Sequence, residues 1–253
     1  MKIAKYSANG NDFVIFHDSV KKERNELARE LCHRQEGIGA DGLIVVVPHA
    51  KYDFEWEFYN ADGSHADMCG NGSRACAHYA YNNNLAPASM DFLTGAGVIH
   101  AEVSENSPKA GMVLSELTPP EILDTKIEEN GNSWWLLNTG VPHLVKFVDD
   151  IEHFDIEEAR EMRYKYNANV NIAKVLEDGN LRVRTYERGV EDETLACGTG
   201  MAACFYRAYK EGKVKESIEV YPTSGETLYL GVNERTITFA GRVKKTFETE
   251  WDS

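Results

Sequence analysis

The chain has no hydrophobic run long enough to cross a membrane. Its most apolar stretch, Leu43 to Val47, has the length of a buried strand, whereas a membrane helix needs roughly 18 apolar residues. The first ten residues, MKIAKYSANG, lack the apolar core of a secretory signal. We therefore expect a cytoplasmic protein with no membrane partner.

A cluster of basic residues is also absent. The sequence carries 41 Asp and Glu against 27 Lys and Arg, a formal charge of −14. Binding to phosphates requires clustered Lys and Arg, so we expect no nucleic-acid partner. The 253 residues, 42% of them hydrophobic, are typical of a globular protein with one large or two small domains.

The cysteines lack the spacing of a disulfide framework or a zinc site. There are five of them, an odd number, with no C-x-x-C pair and no histidine pair at ligand spacing. We expect reduced thiols and no metal. The cysteines are Cys32, Cys69, Cys76, Cys197 and Cys204.

The sequence repeats itself once. The thirteen residues from Cys69 to Tyr81 align without gaps on Cys197 to Tyr209, and seven positions are identical. The offset of 128 residues (197 − 69) is half the chain, which indicates a duplicated domain. Pro119-Pro120 marks the boundary, so we predict domains at 1–118 and 119–240.

The hydrophobic patterns predict an α+β fold, with each half a mostly antiparallel sheet packed on few helices. Helices are expected at Asn25 to Gln35, at Ile156 to Lys165 and after Cys69 and Cys197. Strands are expected at Phe13 to Phe16, Leu43 to Val47, Phe54 to Tyr59, Gly97 to Val103, Gly111 to Leu117, Trp134 to Leu137, His143 to Val148, Val170 to Leu176, Leu181 to Tyr186, Ser217 to Tyr221, Thr227 to Val232 and Arg235 to Phe239.

Two cysteines occupy positions suited to acid/base chemistry. Cys69 and Cys197 each precede Gly-x-Gly and a helix-forming run, so each thiol lies at a helix N-terminus that favours the thiolate and binds anions. Duplication would bring the two thiols face to face in an interdomain cleft, where one removes a proton from a carbon and the other returns one. Cys32, Cys76 and Cys204 have apolar neighbours and are predicted to pack in the core.

Seven stretches of the sequence, taken in order and spacing, resemble the diaminopimelate epimerase family over about Lys5 to Phe239. They are Gly10 to Phe13, Gly37 to Gly42, Phe58 to Ser64, Met68 to Gly72, Pro142-His143, Tyr186 to Gly189 and Glu193 to Gly200.

The resemblance implies a pyridoxal-independent isomerase that interconverts LL- and meso-2,6-diaminopimelate for lysine and peptidoglycan synthesis. It also implies two pseudo-symmetric domains, each a curled sheet around a central helix, with residues 241–253 returning to the first domain. The same resemblance implies that the protein is a cytoplasmic homodimer and that it needs no cofactor.

The resemblance also assigns site residues. Cys69 and Cys197 match the catalytic thiols, and His143 and Glu187 match the polar pair that assists them. Two helix starts match the carboxylate site, and further side chains match the groups that hold the distal amino acid end. The carboxylate residues are Gly70, Asn71, Gly198 and Thr199, and the distal residues are Asn11, Asn60, Asn171, Glu187 and Arg188.

The sequence departs from the family pattern at three places. One is an additional residue between Glu187 and Cys197, so the loop Val190 to Glu193 is expected to bulge. Gly42 stands where many members carry Gln, and Val141 where many carry Asn. Three alternatives therefore stay open. They are a racemase of the same fold acting on another amino acid, a thiol-disulfide redox protein, and a noncatalytic small-molecule binding protein.

Overall fold

The computed structural model describes residues 1–104, 111–117, 119–233 and 236–252. Within these residues the chain forms sixteen strands and four α-helices. The elements up to residue 116 are β1 Lys2–Ala8, β2 Asn11–His17, α1 Asn25–Cys32, β3 Gly42–Val47, β4 Phe54–Asn60, α2 Gly70–Asn82, β5 Ser89–Thr94, β6 Gly97–Ser104 and β7 Met112–Glu116. The later elements are β8 Glu121–Glu129, β9 Asn132–Asn138, β10 Pro142–Phe147, α3 Ile156–Tyr166, β11 Asn169–Val175, β12 Leu181–Glu187, β13 Asp192–Thr194, α4 Gly198–Lys210, β14 Ser217–Tyr221, β15 Leu228–Asn233 and β16 Thr236–Glu250.

The chain divides into two compact units. Unit 1 comprises Met1–Glu116 and Ala240–Ser253, and unit 2 comprises Leu117–Phe239. Thr118, the last residue of the predicted first domain, lies outside the described residues, as do Ser253 and Arg235, where the last predicted strand begins.

Unit 1 is a sheet closed around α2. The strands follow one another from β1 to β7, β7 adjoins β16, and β16 pairs antiparallel with β1. At the closure, the Val243 amide donates to the Gly111 carbonyl at 2.8 Å. Residues 70–80 of α2 are all buried, because the small side chains Ala75, Ala77 and Ala80 let the surrounding strands approach the helix closely.

The central strand β3 shows why this layering follows from the sequence. All six of its residues are buried, as a continuous apolar run requires. Because side chains alternate along a strand, Ile44 packs in the cluster that contains α2, whereas Leu43 and Val45 pack with α1 on the opposite face. The sheet is thus covered by a helix on each side.

Unit 2 repeats this arrangement. From β9 to β15 the successive pairings are antiparallel, parallel, antiparallel, parallel and antiparallel, and the pairings from β1 to β6 follow the same sequence. Helix α4 begins and ends 128 residues after α2 (198 − 70 and 210 − 82). On the outer face, α3 starts at the capping residue Asp155, whose carboxylate accepts from the Glu157 and Glu158 amides, and ends at Asn167 in the left-handed region.

The predicted fold class is confirmed, but the end of one helix was wrong and four strands were missed. Helix α1 ends at Cys32 rather than Gln35, because His33 is extended and its carbonyl closes a turn with the Gly37 amide. Strands β1, β5 and β13 were not predicted. Strand β8 was also missed, because only one of its nine residues is buried and it shows no alternation of apolar and polar residues.

Candidate active site

Each predicted catalytic cysteine caps the helix at the centre of its unit. Cys69 precedes α2 and Cys197 precedes α4, both with extended backbone. The first N–H groups of a helix have no partner within the helix, and they carry its positive dipole end. Each thiol therefore lies where a thiolate and a bound carboxylate are both stabilised.

In unit 1 the Cys69 thiol has two defined partners. Its Sγ accepts a hydrogen bond from the Gly72 amide at 3.3 Å and donates to Asn11 Oδ1 at 3.6 Å. The orientation of the Asn11 amide is set on its other side, where Nδ2 donates to Asp41 Oδ2 at 2.7 Å. Asn11 thus presents its oxygen to the thiol.

A charged network holds Asn11 in place. Arg34 binds both carboxylate oxygens of Asp12 at 3.0 Å and also reaches Asp41 at 2.7 Å, while Lys5 contacts Asp12 at 2.8 Å. Burial by itself raises the pKa of Asp12, but the hydrogen bonds from Arg34 and Lys5 prevail and lower it to about 2. Asp12 is therefore a carboxylate at neutral pH.

A buried arginine that the sequence analysis missed supports the start of α2. Arg74 is fully buried, and its guanidinium donates to the Gly70 carbonyl at 3.1 Å, to Asn71 Oδ1 at 2.7 Å and to Asn9 Oδ1 at 2.6 Å. The amide oxygen of Asn71, a predicted substrate residue, is therefore held by the protein itself. The only sequence signal was an arginine inside an Ala-rich helix.

Asn60 and Gly42 face each other in neighbouring strands. Asn60 is exposed at the end of β4 and donates to Ser64 Oγ at 3.0 Å. A Cβ at Gly42 would lie 2.7 Å from a Phe58 ring carbon and 2.8 Å from the Tyr59 carbonyl oxygen. The glycine is therefore required by the packing of β3, and a larger side chain has no room here.

In unit 2 the Cys197 thiol lies 3.5 Å from the Thr199 hydroxyl, which lies 2.9 Å from Nε2 of His143. Cys197 is 8% exposed and His143 is fully buried. Burial, assisted by the charge of Arg188, lowers the pKa of His143 to about 3, although a hydrogen bond with Asn171 acts in the opposite direction. The imidazole is therefore neutral at pH 7.

Asn171 lies beneath α4, where every polar atom of its side chain is used within unit 2. Its Nδ2 donates to the Leu144 carbonyl at 2.9 Å and lies 3.1 Å from His143 Nδ1, and its Oδ1 accepts from the Thr185 hydroxyl at 2.9 Å. A Cβ at Gly200 would lie 2.4 Å from Asn171 Oδ1, which explains the second glycine of the motif.

Asn169 shares the strand face of Asn171 but was not among the predicted site residues. Its Oδ1 accepts from the Arg188 amide at 2.7 Å, and its Nδ2 lies 3.5 Å from His143 Nε2. The sequence shows two asparagines, Asn169 and Asn171, separated by one residue, and only the fold shows that their surroundings differ. Asn169 lies beside Arg188, whereas Asn171 lies beneath the helix.

Glu187 and Arg188 end strand β12. Glu187 is half-buried, and burial raises the pKa of its carboxyl group. Arg188 is also half-buried, and its Nη1 donates to the Asn167 carbonyl at 2.9 Å. Val141 is the residue before the Pro142-His143 motif. Its backbone carbonyl oxygen accepts a hydrogen bond from the Thr139 amide at 3.3 Å.

The other three cysteines are core residues, as predicted. Burial raises the pKa of the Cys32 thiol to about 12 and raises those of Cys76 and Cys204 as well. All five cysteines are thiols rather than disulfides.

Among the described residues there is no group of three His, Cys, Asp or Glu that could hold a metal ion. Over the same part of the chain, every helix is too short or too polar to cross a membrane.

Comparisons with known proteins identify the family of the chain. A sequence profile described as diaminopimelate epimerase matches residues 3–123 and 135–245. The chain is 63% identical over 249 residues to a diaminopimelate epimerase of a Nitratiruptor species, with 98% of each chain covered. It is 56% identical to one of Campylobacter lari, with 100% of this chain and 99% of the relative covered.

Solved structures with low sequence identity share the fold. A phenazine biosynthesis protein of the PhzF family from Bacillus anthracis superimposes with a TM-score of 0.74 at 16% identity, covering 100% of this chain and 99% of the other. A probable proline racemase from Agrobacterium radiobacter gives a TM-score of 0.77 at 14% identity, covering 99% and 92%.

Proposed function

The chain belongs to the diaminopimelate epimerase family, and from this premise we propose that it interconverts LL- and meso-2,6-diaminopimelate by proton transfer at the α-carbon. This reaction belongs to the synthesis of lysine and of a peptidoglycan precursor. The observation that carries the proposal is the pair of thiols, Cys69 and Cys197, which cap the central helices of two units with matching strand order.

Inversion at a carbon requires a base on one face and an acid on the other. The thiolate of one cysteine takes the α-proton, and the thiol of the other gives a proton to the opposite face. The products are the inverted amino acid, a new thiol and a new thiolate, so the reverse reaction uses the same groups with exchanged roles. Two thiols are therefore sufficient for the acid and base chemistry.

The helix starts supply the stabilisation that this step needs. Negative charge develops on the α-carbon and the adjacent carboxylate as the proton leaves. We assign the substrate carboxylate to the first-turn N–H groups of Gly70-Asn71 and Gly198-Thr199, because oriented amides and the helix dipole favour an anion there. The arrangement is preorganised, since Arg74 holds the Gly70 carbonyl and Thr139 holds the Thr199 carbonyl.

The distal end of diaminopimelate carries a second ammonium and carboxylate. We assign its carboxylate to Arg188, whose planar guanidinium can form two parallel hydrogen bonds. Asn11, Asn60 and Glu187 supply oxygen atoms for the ammonium group. Asn171 is fully buried and supports the site through His143. Asn169, which bonds to the Arg188 backbone, joins the proposed set.

We further propose that the enzyme is a homodimer and that it is located in the cytoplasm. The support is the family resemblance. Light scattering on the purified protein tests the assembly, since a dimer has twice the 28.4 kDa mass of the chain.

The reaction is tested by incubating the purified protein with LL-diaminopimelate in deuterium oxide, without added cofactor, and following the α-proton signal by NMR. We expect deuterium to replace the α-proton, and we expect Cys69→Ala and Cys197→Ala each to abolish epimerisation. Cys76→Ala is the matched control, because this buried cysteine lies on the same helix as the Cys69 site.

Three outcomes would contradict the proposal. Exchange with another amino acid but not with diaminopimelate would favour a racemase of different specificity. No exchange with any amino acid, together with a reversible Cys69–Cys197 disulfide, would favour a redox protein. Binding without exchange would favour a noncatalytic binding protein.

A further inference from the structure

A line of hydrogen-bonding groups runs through unit 2 and ends at the Cys197 thiol. It passes from the Thr185 hydroxyl to the Asn171 amide, then to the His143 ring and the Thr199 hydroxyl. Thr185, Asn171 and His143 are at most 3% exposed. In a buried line of this kind, the direction of each hydrogen bond determines the direction of the next.

The direction of the line is set by a backbone carbonyl. The Leu144 carbonyl oxygen can only accept, and it lies 2.9 Å from one terminal atom of the Asn171 amide, which must therefore be the nitrogen. The other terminal atom is then the oxygen, and it accepts from Thr185. Since the same nitrogen also lies 3.1 Å from His143 Nδ1, a proton on Nδ1 would place two donors against each other.

A neutral imidazole carries one proton, so a ring that accepts at Nδ1 must donate at Nε2. Two groups lie near Nε2: the Thr199 hydroxyl oxygen at 2.9 Å, which can accept, and the Asn169 amide nitrogen at 3.5 Å, which can only donate. The Thr199 contact is much the shorter, so it determines the state of Nε2, and Nε2 donates to the Thr199 oxygen. With that oxygen accepting from the ring, the Thr199 hydrogen can point to the Cys197 sulfur at 3.5 Å.

We propose that Asn171 is a positioning residue that locks His143 as the Nε2–H tautomer, so that His143 donates to Thr199 and the Thr199 hydroxyl donates to Cys197 Sγ. This rests on the proposed function of Cys197 as an acid/base group. A hydrogen bond donated to sulfur favours the thiolate over the thiol. His143 therefore acts as a donor at the end of a fixed line and does not act as a base toward the thiol.

No proton passes along the line during the reaction. Cys197 Sγ itself takes the α-proton or gives one, while His143 keeps its proton on Nε2 and stays neutral. Its burial supports this, because a buried imidazolium without a carboxylate partner is unfavourable. The charge of Arg188 also opposes a charge on His143.

The tautomer can be measured directly. In the protein labelled with ¹⁵N-histidine, two-bond ¹H–¹⁵N correlation spectra distinguish a protonated from an unprotonated ring nitrogen. We expect His143 with Nε2 protonated and Nδ1 unprotonated at pH 7. Asn171→Leu removes the donor to Nδ1, and we expect signals of the Nδ1–H tautomer to appear. A wild-type ring with its proton on Nδ1 would overturn the proposal.

The effect on the thiol is tested with Thr199→Val, which keeps the side-chain shape and removes the hydroxyl. The rate of Cys197 alkylation is followed against pH by peptide mass spectrometry. A hydrogen bond to a charged group is worth enough to shift the thiol pKa by about one unit, so we expect alkylation to be about tenfold slower below the midpoint. Thr199→Ser should restore the wild-type profile.

Two controls separate this effect from loss of structure. Thr139→Val removes a hydroxyl that bonds to the Thr199 carbonyl rather than to its side chain, and it should leave the Cys197 midpoint unchanged. Cys69 in the same sample should also keep its midpoint. An unchanged Cys197 midpoint in Thr199→Val would refute the proposal. Neither measurement uses a substrate, so failure of the proposed reaction would be seen separately.

Discussion

The two cysteine sites have the same backbone frame and different polar surroundings. At an offset of 128 residues, Arg74 of unit 1 corresponds to Ala202. By strand register, His143 and Asn171 of unit 2 correspond to Phe13 and Ile44. Cys69 faces the Asn11 amide oxygen, and Cys197 faces the Thr199 hydroxyl at the end of a neutral line of hydrogen-bonding groups. Duplication kept the helix N-termini, and divergence made the two thiols chemically unequal.

This inequality suits a reaction that needs an acid and a base at the same moment. Cys69 Sγ meets a donor, the Gly72 amide, and an acceptor, the Asn11 oxygen, and the acceptor favours the protonated thiol. The hydroxyl donor that we propose opposite Cys197 favours the thiolate. The four predictions below test the contrast, from the largest expected effect to the smallest.

Arg74→Ala should have the largest effect. It removes the donor from three buried oxygens, those of Gly70, Asn71 and Asn9, and leaves a cavity. We expect a loss of about 3 to 5 kcal/mol in the free energy of unfolding, measured by urea denaturation. Arg160→Ala removes an exposed ion pair with Glu157 and a contact with Tyr186, and should change the free energy of unfolding by about 1 kcal/mol or less. Equal effects of the two variants would contradict a structural role for Arg74.

Gly200→Ala and Gly72→Ala compare equivalent positions in the two helices. The new Cβ would lie 2.4 Å from Asn171 Oδ1 in unit 2, but 3.3 Å from the nearest atom, Cys69 Cβ, in unit 1. We expect Gly200→Ala to lower the free energy of unfolding by about 2 kcal/mol, because the new methyl group displaces the Asn171 amide. Gly72→Ala should stay within about 1 kcal/mol of the wild type, since alanine favours a helix. Denaturation of both variants checks this, and a larger loss in Gly72→Ala would reverse the comparison.

His143 should make unit 2 sensitive to acid. Its pKa is about 3 in the folded state, because of burial, and about 6.5 when unfolded, so the unfolded state binds more protons between these values. The stability that the neutral ring confers is present above pH 6.5 and is lost as the pH falls. When the pH is lowered from 7 to 5, we expect the free energy of unfolding, measured by urea denaturation, to fall by about 2 kcal/mol more in the wild type than in His143→Gln.

His100 in unit 1 provides the control of opposite sign. Burial lowers the pKa of His100, but hydrogen bonds with Asp91 and Glu102 prevail and raise it, so its contribution grows as the pH falls. His100→Gln should therefore lose slightly more stability on acidification than the wild type. Identical pH dependence in His143→Gln and the wild type would argue against a buried neutral imidazole.

Asn11→Leu should have the smallest effect. It removes the oxygen that accepts from the Cys69 thiol at 3.6 Å, which destabilises the thiol relative to the thiolate. We expect the alkylation midpoint of Cys69 to fall by less than about one pH unit, because S–H is a weak donor. The Cys197 midpoint should stay constant. A rise in the Cys69 midpoint would show that Asn11 favours the thiolate instead.

The parts of the fold that could be predicted are those in which local sequence and tertiary structure agree. The apolar run of β3 reads as a buried strand because both of its faces are covered. The thiols at Cys69 and Cys197 were placed at helix starts because Gly-x-Gly followed by a helix-forming run is a local signal. Strand β8 has six consecutive exposed residues, so no hydrophobic pattern marked it.

The site residues divide in the same way. Asn169 and Asn171 were equivalent in sequence, and only the packing of α4 on β11 distinguishes the residue beside Arg188 from the one beneath the helix. Arg74 was missed because its three acceptors come from separate segments of the chain. Gly42 was recognised as a departure from the family, but its cause is the Phe58 ring on the neighbouring strand.

By itself, the sequence determined that the chain is duplicated, that each half carries a cysteine at a helix start, and which family it resembles. These properties lie in contiguous residues or in a comparison of two segments, so they need no knowledge of packing. The tertiary structure decided the surroundings of each thiol. Hydrogen-bond direction depends on which groups meet across strands, and a single backbone carbonyl, that of Leu144, orients the polar line that ends at Cys197.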